Sequence, residues 1–341
     1  VIITDNRNPL KTLPWIIVLV FAPVVGLVFY FFFGQNLSKR RIISRRTRRR
    51  ITMQLEEARD TGRPEIPEEH RRLAALLYST THSVALYGSR ITPYTDGRSK
   101  MEALLAEIAR AKHHIHIQYY IFCDDETGRR LRDALVEKVR QGVEVRILYD
   151  DVGCSGVKKD FFEGMRREGI EVFSFLHVKF PLFTSKVNYR NHRKIAVIDG
   201  RVGFIGGMNV ADRYVRGTGW GSWRDTHFRI EGSGAAGLQV SFLSDWSATT
   251  KQHITGAAYF PQSERHAENI LQIVPSGPFG QWRALLQADS YAVSNARRRI
   301  WIQTPYYLPS DVLNTALQVA ALAGVDVRLM LPARSDSKIV D

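Results

Sequence analysis

The stretch that most constrains this chain lies near its middle: VNYRNHRKIAVIDGRVGFIGGMN, Val187 to Asn209. Ile195 to Ile198 is an apolar run that reads as a buried strand. Asp199-Gly200 is a tight-turn signal, and Arg201 to Ile205 reads as the returning strand. Side chains alternate along a strand, so His192 and Lys194, two residues apart, share one face. The return strand ends at Gly206-Gly207, which brings Asn209 back beside His192 and Lys194.

An imidazole, an ammonium, a carboxamide and glycine N–H groups gathered on one hairpin suit a phosphate. The histidine attacks or protonates, while Lys194, Gly207 and Asn209 bind the oxygens. The spacing is H-x-K-x4-D-x6-G-G-x-N. Average residue usage gives all six fixed positions by chance on the order of five times per million chains of this length. Asp199, at the turn, is an acceptor for turn N–H groups or a neighbouring cation rather than a proton carrier. A nucleophilic histidine also needs a carboxylate on its other nitrogen, and Asp225 in WRDTH is the candidate, with a surface salt bridge as the alternative.

Charge narrows the partners. The net charge is +14, and eight basic residues lie between Lys39 and Arg50 with no acid among them. Positive charge is therefore mainly a local device, which favours a membrane surface over nucleic acid. Cys123 and Cys154 have no further cysteine or histidine at metal-ligand spacing. They read as free thiols in a reducing compartment, and neither a metal nor a cofactor is expected.

Leu13 to Phe33 is nearly all apolar, long enough for a transmembrane helix bent at Pro23. The basic run that follows places the rest of the chain in the cytoplasm by the positive-inside rule. The expected organisation is an anchor over 1–38, a basic segment and connector over 39–80, a first α/β half with the hairpin over 81–260, and the start of a second half over 261–341. Ser99-x-x-Glu102 reads as a capping box, Ile115 to Phe122 as a buried strand, and Gly142 as the stop of the following helix. With Val143 to Leu148 these form a βαβ unit.

That unit recurs. Ile115-x-Ile117-Gln118 matches Ile300-x-Ile302-Gln303, Leu131-x-x-Ala134-Leu135 matches Leu313-x-x-Ala316-Leu317, and Gly142-Val143-x-Val145-Arg146 matches Gly324-Val325-x-Val327-Arg328. A second copy of His192 would fall near position ~374, past Asp341. The expectation is thus a duplicated fold whose second half is truncated, in a chain that starts without Met.

Taken together, IQYYIF, GVEVRILYDDVG, YRNHRKIAVIDGRVGFIGGMN, ADRY, WRDTHFRIEG and IVPSGP resemble, in order, the pattern of bacterial cardiolipin synthases of the phospholipase D superfamily. The resemblance runs from about Asn8 onward. It implies an α/β fold with two pseudo-twofold halves, each a mixed sheet flanked by helices, and a metal-free site at their junction. It further implies that His192 forms or protonates a phosphoryl-histidine, that Lys194 and Asn209 hold the phosphate, that Asp199 belongs to the motif, and that Asp225 orients the histidine. The expected reaction joins two phosphatidylglycerol molecules into cardiolipin and glycerol at the bacterial cytoplasmic membrane. A hydrolytic phospholipase D, a superfamily nuclease and an inactive membrane-tethered binder of anionic lipid are the alternatives.

Overall fold

A computed structural model describes residues 9–30, 34, 43–58, 65–175, 190–219, 221–262, 264–277 and 282–333. Val187 to Tyr189 of the motif segment, Phe31 to Phe33 of the expected span, Lys39 to Ile42 of the basic run and Gly62 to Pro64 of the connector lie outside them. Two compact units form, Val1–Glu65 with Ala85–Ile273, and Ile66–Val84 with Val274–Asp341.

The expected transmembrane helix is corrected. Among the described residues no helix is long and apolar enough to cross a membrane. The apolar run is instead split into α1 (Pro9–Phe21) and α2 (Pro23–Phe29). Thirteen residues of α1 reach about 20 Å, short of the ~30 Å hydrocarbon core. Pro23 removes an N–H, and Ala22 leaves the helical region with φ −141° and ψ 69°. The chain folds back so closely that a Cβ on Gly26 would sit 3.0 Å from the Val18 carbonyl oxygen. Trp15 and Tyr30 meet edge to face at 5.4 Å across the hairpin.

The basic helix α3 (Arg45–Ala58) buries Ile51 and Leu55 and leaves its arginines outside. After α4 (Glu68–Thr81), which belongs to the second unit, come β1 (Leu86–Tyr87), β2 (Arg90–Tyr94) and α5 (Gly97–Arg110). Helix α5 opens two residues before Ser99, because the Asp96 carboxylate accepts the Ser99 N–H and takes the cap. Then follow β3 (His114–Tyr119), α6 (Glu126–Arg140), β4 (Glu144–Asp150), α7 (Lys159–Arg167) and β5 (Glu171–Phe175). The motif supplies β6 (Lys194–Ile198) and β7 (Val202–Gly206). Short α8 (Asp212–Arg216), β8 (His227–Glu231), α9 (Ser233–Thr250) and β9 (Ile270–Leu271) complete the first unit.

Seven strands form one mixed sheet in the order β2-β8-β7-β6-β3-β4-β5, with β3, β4 and β5 parallel and the rest antiparallel. Strand β3 is buried along its whole length. Ile115, Ile117 and Tyr119 join the main core with Leu104, Ile108, Leu131 and Leu135. Its other face meets the buried helix α9, where His116 Nδ1 lies 2.9 Å from Gln239 Oε1 and Gln118 Nε2 donates to Asp245 Oδ2 at 2.7 Å. An alternating strand with polar groups on a buried face is tolerated because α9 answers them.

In the second unit, α10 (Ala284–Asn295), β10 (Arg299–Gln303), α11 (Asp311–Leu322) and β11 (Asp326–Met330) pack with α4, and the strands pair in parallel. The repeated sequences adopt matching details. Ile115 pairs with Val145 and Ile300 with Val327. Gly142 and Gly324 both take φ near +85° to +89°, the left-handed stop for which glycine is suited.

The turn of the motif hairpin is held from outside the hairpin. Asp199 takes φ 51°, and its carboxylate accepts the backbone N–H groups of Lys112, His113 and His114 at 2.8, 2.8 and 2.9 Å. Charge-assisted bonds to three N–H groups pin the turn to the start of β3. Asp199→Ala is expected to lower unfolding free energy by about 2–4 kcal/mol. Asp199→Asn, which keeps the left-handed preference and one acceptor, should lose less, as read by urea denaturation.

Candidate active site

The carboxyl ends of parallel β3 and β4, the start of β6 and the end of β7 share one edge of the sheet. Lys194 opens β6 opposite Tyr119, the last residue of β3, while Asp150 ends β4 and Gly206 ends β7 opposite His227. Crevices outside the carboxyl ends of parallel strands are where open α/β sheets hold ligands.

His192 precedes the strand and is exposed, whereas Lys194 is 2% exposed. Tyr120 joins them: its ring lies 4.7 Å from the His192 ring and 5.3 Å from Lys194 Nζ. Lys194 Nζ also donates to the His192 carbonyl at 2.7 Å. Burial pulls the Lys194 ammonium down to about 7, partly offset by the Asp225 carboxylate. Burial, then the Lys194 charge, lowers the His192 imidazole below its ordinary value, while Asp150 acts in the opposite sense. The pair is thus biased toward a neutral imidazole beside a cation that holds its proton loosely.

Asp225 stands with Lys194 rather than with the His192 ring. Burial raises its carboxyl pKa, and the Thr226 N–H and Lys194 lower it. Its carboxylate fills the space that a side chain on Gly207 would need: a Cβ there would sit 2.1 Å from Asp225 Oδ1. The Gly207 N–H is donated to the Thr226 carbonyl at 2.9 Å. Asn209 is buried, accepting from the Ile121 N–H at 3.0 Å and donating to the Tyr214 hydroxyl at 2.6 Å. It shapes the wall beside Tyr120 and Ile121. Asp199 stands at the far end of β6 from Lys194, about 16 Å along the strand.

Four residues that hold the site escape a sequence reading. Asp245 Oδ2 accepts from Asn191 Nδ2 at 2.8 Å and from the Arg193 guanidinium at 2.6 Å, the two neighbours of His192. Asp150 accepts the Asn191 N–H at 3.2 Å and the N–H groups of Val152 and Gly153. In the sequence Asp245 is only an acid inside the apolar run Phe242 to Trp246, with nothing local to mark its role.

Among the described residues no three metal-type side chains gather into a ligand group. What the edge offers is an exposed imidazole, a buried cation and a carboxylate against it, a set that can bind and attack phosphorus. Burying that cation costs stability. The folded state gives up its Lys194 proton near pH 7 and the unfolded chain near 10.4, so stability rises with pH between them. Lys194→Met is expected to stabilise the fold by about 0.5–2 kcal/mol at pH 6 and by little near pH 10. Denaturant midpoints at the two pH values measure it.

Comparison with known proteins identifies the family. A family profile described as "Cardiolipin synthase, PLD-like domain" matches residues 104–220, and "Phospholipase_D-nuclease N-terminal" matches 1–35. The major cardiolipin synthase ClsA of Bacillus subtilis is 36% identical over 100% of this chain and 73% of its own length. Cardiolipin synthase 2 of Bacillus anthracis is 37% identical over 100% of this chain and 68% of its own. These relatives align with the whole of the chain, which spans about 73% and 68% of their own lengths. Among solved structures, phosphatidylserine synthase from Haemophilus influenzae shares the fold with a TM-score of 0.56 at 16% identity, over 77% of this chain and 66% of that one. The chain belongs to the bacterial cardiolipin synthases of the phospholipase D superfamily.

Proposed function

We propose that this enzyme transfers a phosphatidyl group between two phosphatidylglycerol molecules, giving cardiolipin and glycerol, with His192 as the nucleophile. The observation that carries the assignment is the exposed His192 imidazole, biased to its neutral form, beside buried Lys194. The imidazole nitrogen attacks phosphorus and the bond from phosphorus to the glycerol oxygen breaks. The departing oxygen takes a proton from a general acid within hydrogen-bond reach, and glycerol leaves. The terminal hydroxyl of a second phosphatidylglycerol then attacks the phosphatidyl-histidine, its proton passing to the conjugate base of that acid, and the P–N bond breaks, releasing cardiolipin and restoring the imidazole.

In this reading Lys194 balances the charge of the phosphate, with Asn209 and Gly207 forming the wall against which it lies. Asp199 braces the hairpin. Asp225 keeps Lys194 protonated, and Asp150 holds the segment carrying His192. The substrates are anionic phospholipids rather than nucleic acid, and the enzyme works at the bacterial cytoplasmic membrane with its catalytic part on the cytoplasmic side. The placement is supported by the basic segment, which favours an anionic leaflet.

His192→Ala is expected to abolish turnover while leaving the denaturation midpoint unchanged, because the residue is exposed. Product analysis on phosphatidylglycerol vesicles should give cardiolipin and glycerol in equal amounts. Free phosphatidic acid without cardiolipin would sink the transferase reading in favour of hydrolysis.

The pH profile separates the roles of the two acids. Turnover needs neutral His192 and charged Lys194, so kcat/KM should fall on the acid side of the ordinary imidazole range and again above about pH 7. Removing the Asp225 charge lowers the Lys194 pKa further, so Asp225→Asn should move the alkaline limb to lower pH and leave the acid limb in place. Movement of the acid limb instead would show that Asp225 acts on His192.

A further inference from the structure

Away from the catalytic edge, α3 and the loop after α9 enclose a groove of about 1180 Å³ within the first unit. One wall is basic. Arg45, Arg46, Arg49 and Arg50 recur at helical spacing along it, all exposed, and among the described residues none is paired with a carboxylate. Met53 of α3 with Phe260 and Pro261 of the loop give the groove an apolar side, and Gln54, Glu57, Thr255 and Gln262 also line it.

The groove is built into the fold. Ile51 and Leu55, on the opposite side of α3, are 3% and 5% exposed and seat the helix on α9. The Gly256 N–H donates to Gln54 Oε1 at 2.7 Å, which ties the loop to the arginine wall. Four like charges at i, i+1, i+4 and i+5 repel one another, an arrangement that an anion relieves. Guanidinium pairs suit the oxygens of a phosphate in a bidentate manner. An apolar side next to them suits a ligand that carries both a phosphate and hydrocarbon. Nearby in sequence, α1 and α2 leave Leu13, Val20, Phe21, Val24 and Leu27 between 59% and 84% exposed, apolar surface that water covers poorly.

We infer that this groove is a second lipid site, separate from the catalytic edge, that holds the phosphate of an anionic membrane phospholipid against the α3 arginines and its glycerol and upper acyl carbons against Met53 and Phe260. It takes one lipid and performs no chemistry. It goes beyond the catalytic reading, since occupancy requires no step at His192.

The test is partition of the purified chain onto vesicles at about 0.15 M salt, where diffuse surface attraction is screened beyond about 8 Å. Vesicles of phosphatidylcholine with phosphatidylglycerol are compared with phosphatidylcholine alone. Arg45→Gln with Arg49→Gln should weaken binding to the anionic vesicles about tenfold or more, and leave binding to phosphatidylcholine unchanged. Arg45→Lys with Arg49→Lys, which keeps the charge, should still weaken it by about threefold or more, because the forked geometry is lost. Gln262→Glu, placing a negative charge in the groove from the loop side, should weaken it without touching α3.

Wild-type binding by the lysine variant would reduce the groove to a diffuse positive patch and overturn the site. Undiminished binding by the glutamine variant would overturn it too, as would displacement of the chain from vesicles by millimolar inorganic phosphate, which would make it a free-phosphate site. Because partition is read without turnover, the same assay on His192→Ala should give wild-type binding. Failure of the catalytic assignment and failure of this site are therefore seen separately.

Discussion

The Asp245 carboxylate is the group on which the catalytic edge depends. It sits 4% exposed within α9, a helix whose residues are nearly all buried. A carboxylate in that position is costly unless every part of it is hydrogen-bonded. One of its oxygens receives Gln118 from β3, together with Asn191 and Arg193 from the segment before β6. Sheet, helix and motif segment are thereby joined at one oxygen. Asp150 grips the same segment from the end of β4 through the Asn191 N–H. His192 lies between two anchored neighbours, so its backbone is fixed while its ring stays open to the crevice. In its proposed role as nucleophile, a side chain held in this way would lose little orientational freedom when substrate arrives.

The buried cations run against stability for the sake of chemistry. Lys194 and Lys100 are both brought down to about 7 by burial, and Lys100 Nζ donates to the Tyr119 hydroxyl at 2.9 Å. Between their charges lies His227, fully buried, with neither ring nitrogen partnered among the described residues. Burial and then the two lysines hold its imidazole well below the ordinary range, so it stays neutral. Unpaired buried polar atoms typically cost about 1–3 kcal/mol. Here they stand beside Lys194, where a low-dielectric wall strengthens the attraction of a cation for an incoming anion. The same desolvation that weakens the fold would, in the proposed reaction, make Lys194 a stronger partner for phosphate.

The parts legible in the sequence were those governed by local rules. The motif hairpin, the βαβ unit and its recurrence at Ile300 to Arg328 follow from periodicity and turn chemistry, and Gly142 and Gly324 stop their helices with the same positive φ. The rest depended on contacts between distant segments. Asp199 reads as a turn residue, but its three backbone donors come from residues 112–114, some 85 positions away. Asp225 reads as the partner of His192 by analogy with other histidine nucleophiles, yet packing sets it against Gly207 and Lys194. Asp245 was hidden because an acid in an apolar helix has no local signature. The apolar run failed for the opposite reason: hydropathy counts residues, and Leu13 to Phe33 had enough of them, but it does not register that Ala22 and Pro23 turn the chain back on itself.

That turn changes the physical terms of contact with lipid. Two short helices of 13 and 7 residues leave apolar side chains such as Phe21 and Val24 exposed. Apolar area of this kind holds a protein at an interface only in proportion to what it buries, and a single such contact is readily reversed. A second attachment is therefore of value only if it is rigidly joined to the catalytic sheet. The groove meets that condition, since Ile51 and Leu55 seat α3 on α9 and α9 carries Asp245. A phosphate held by Arg45 and Arg49 would act through one continuous set of buried contacts on the helix that anchors Asn191 and Arg193. Position relative to the headgroup layer and the setting of the nucleophile would then be fixed by the same helix.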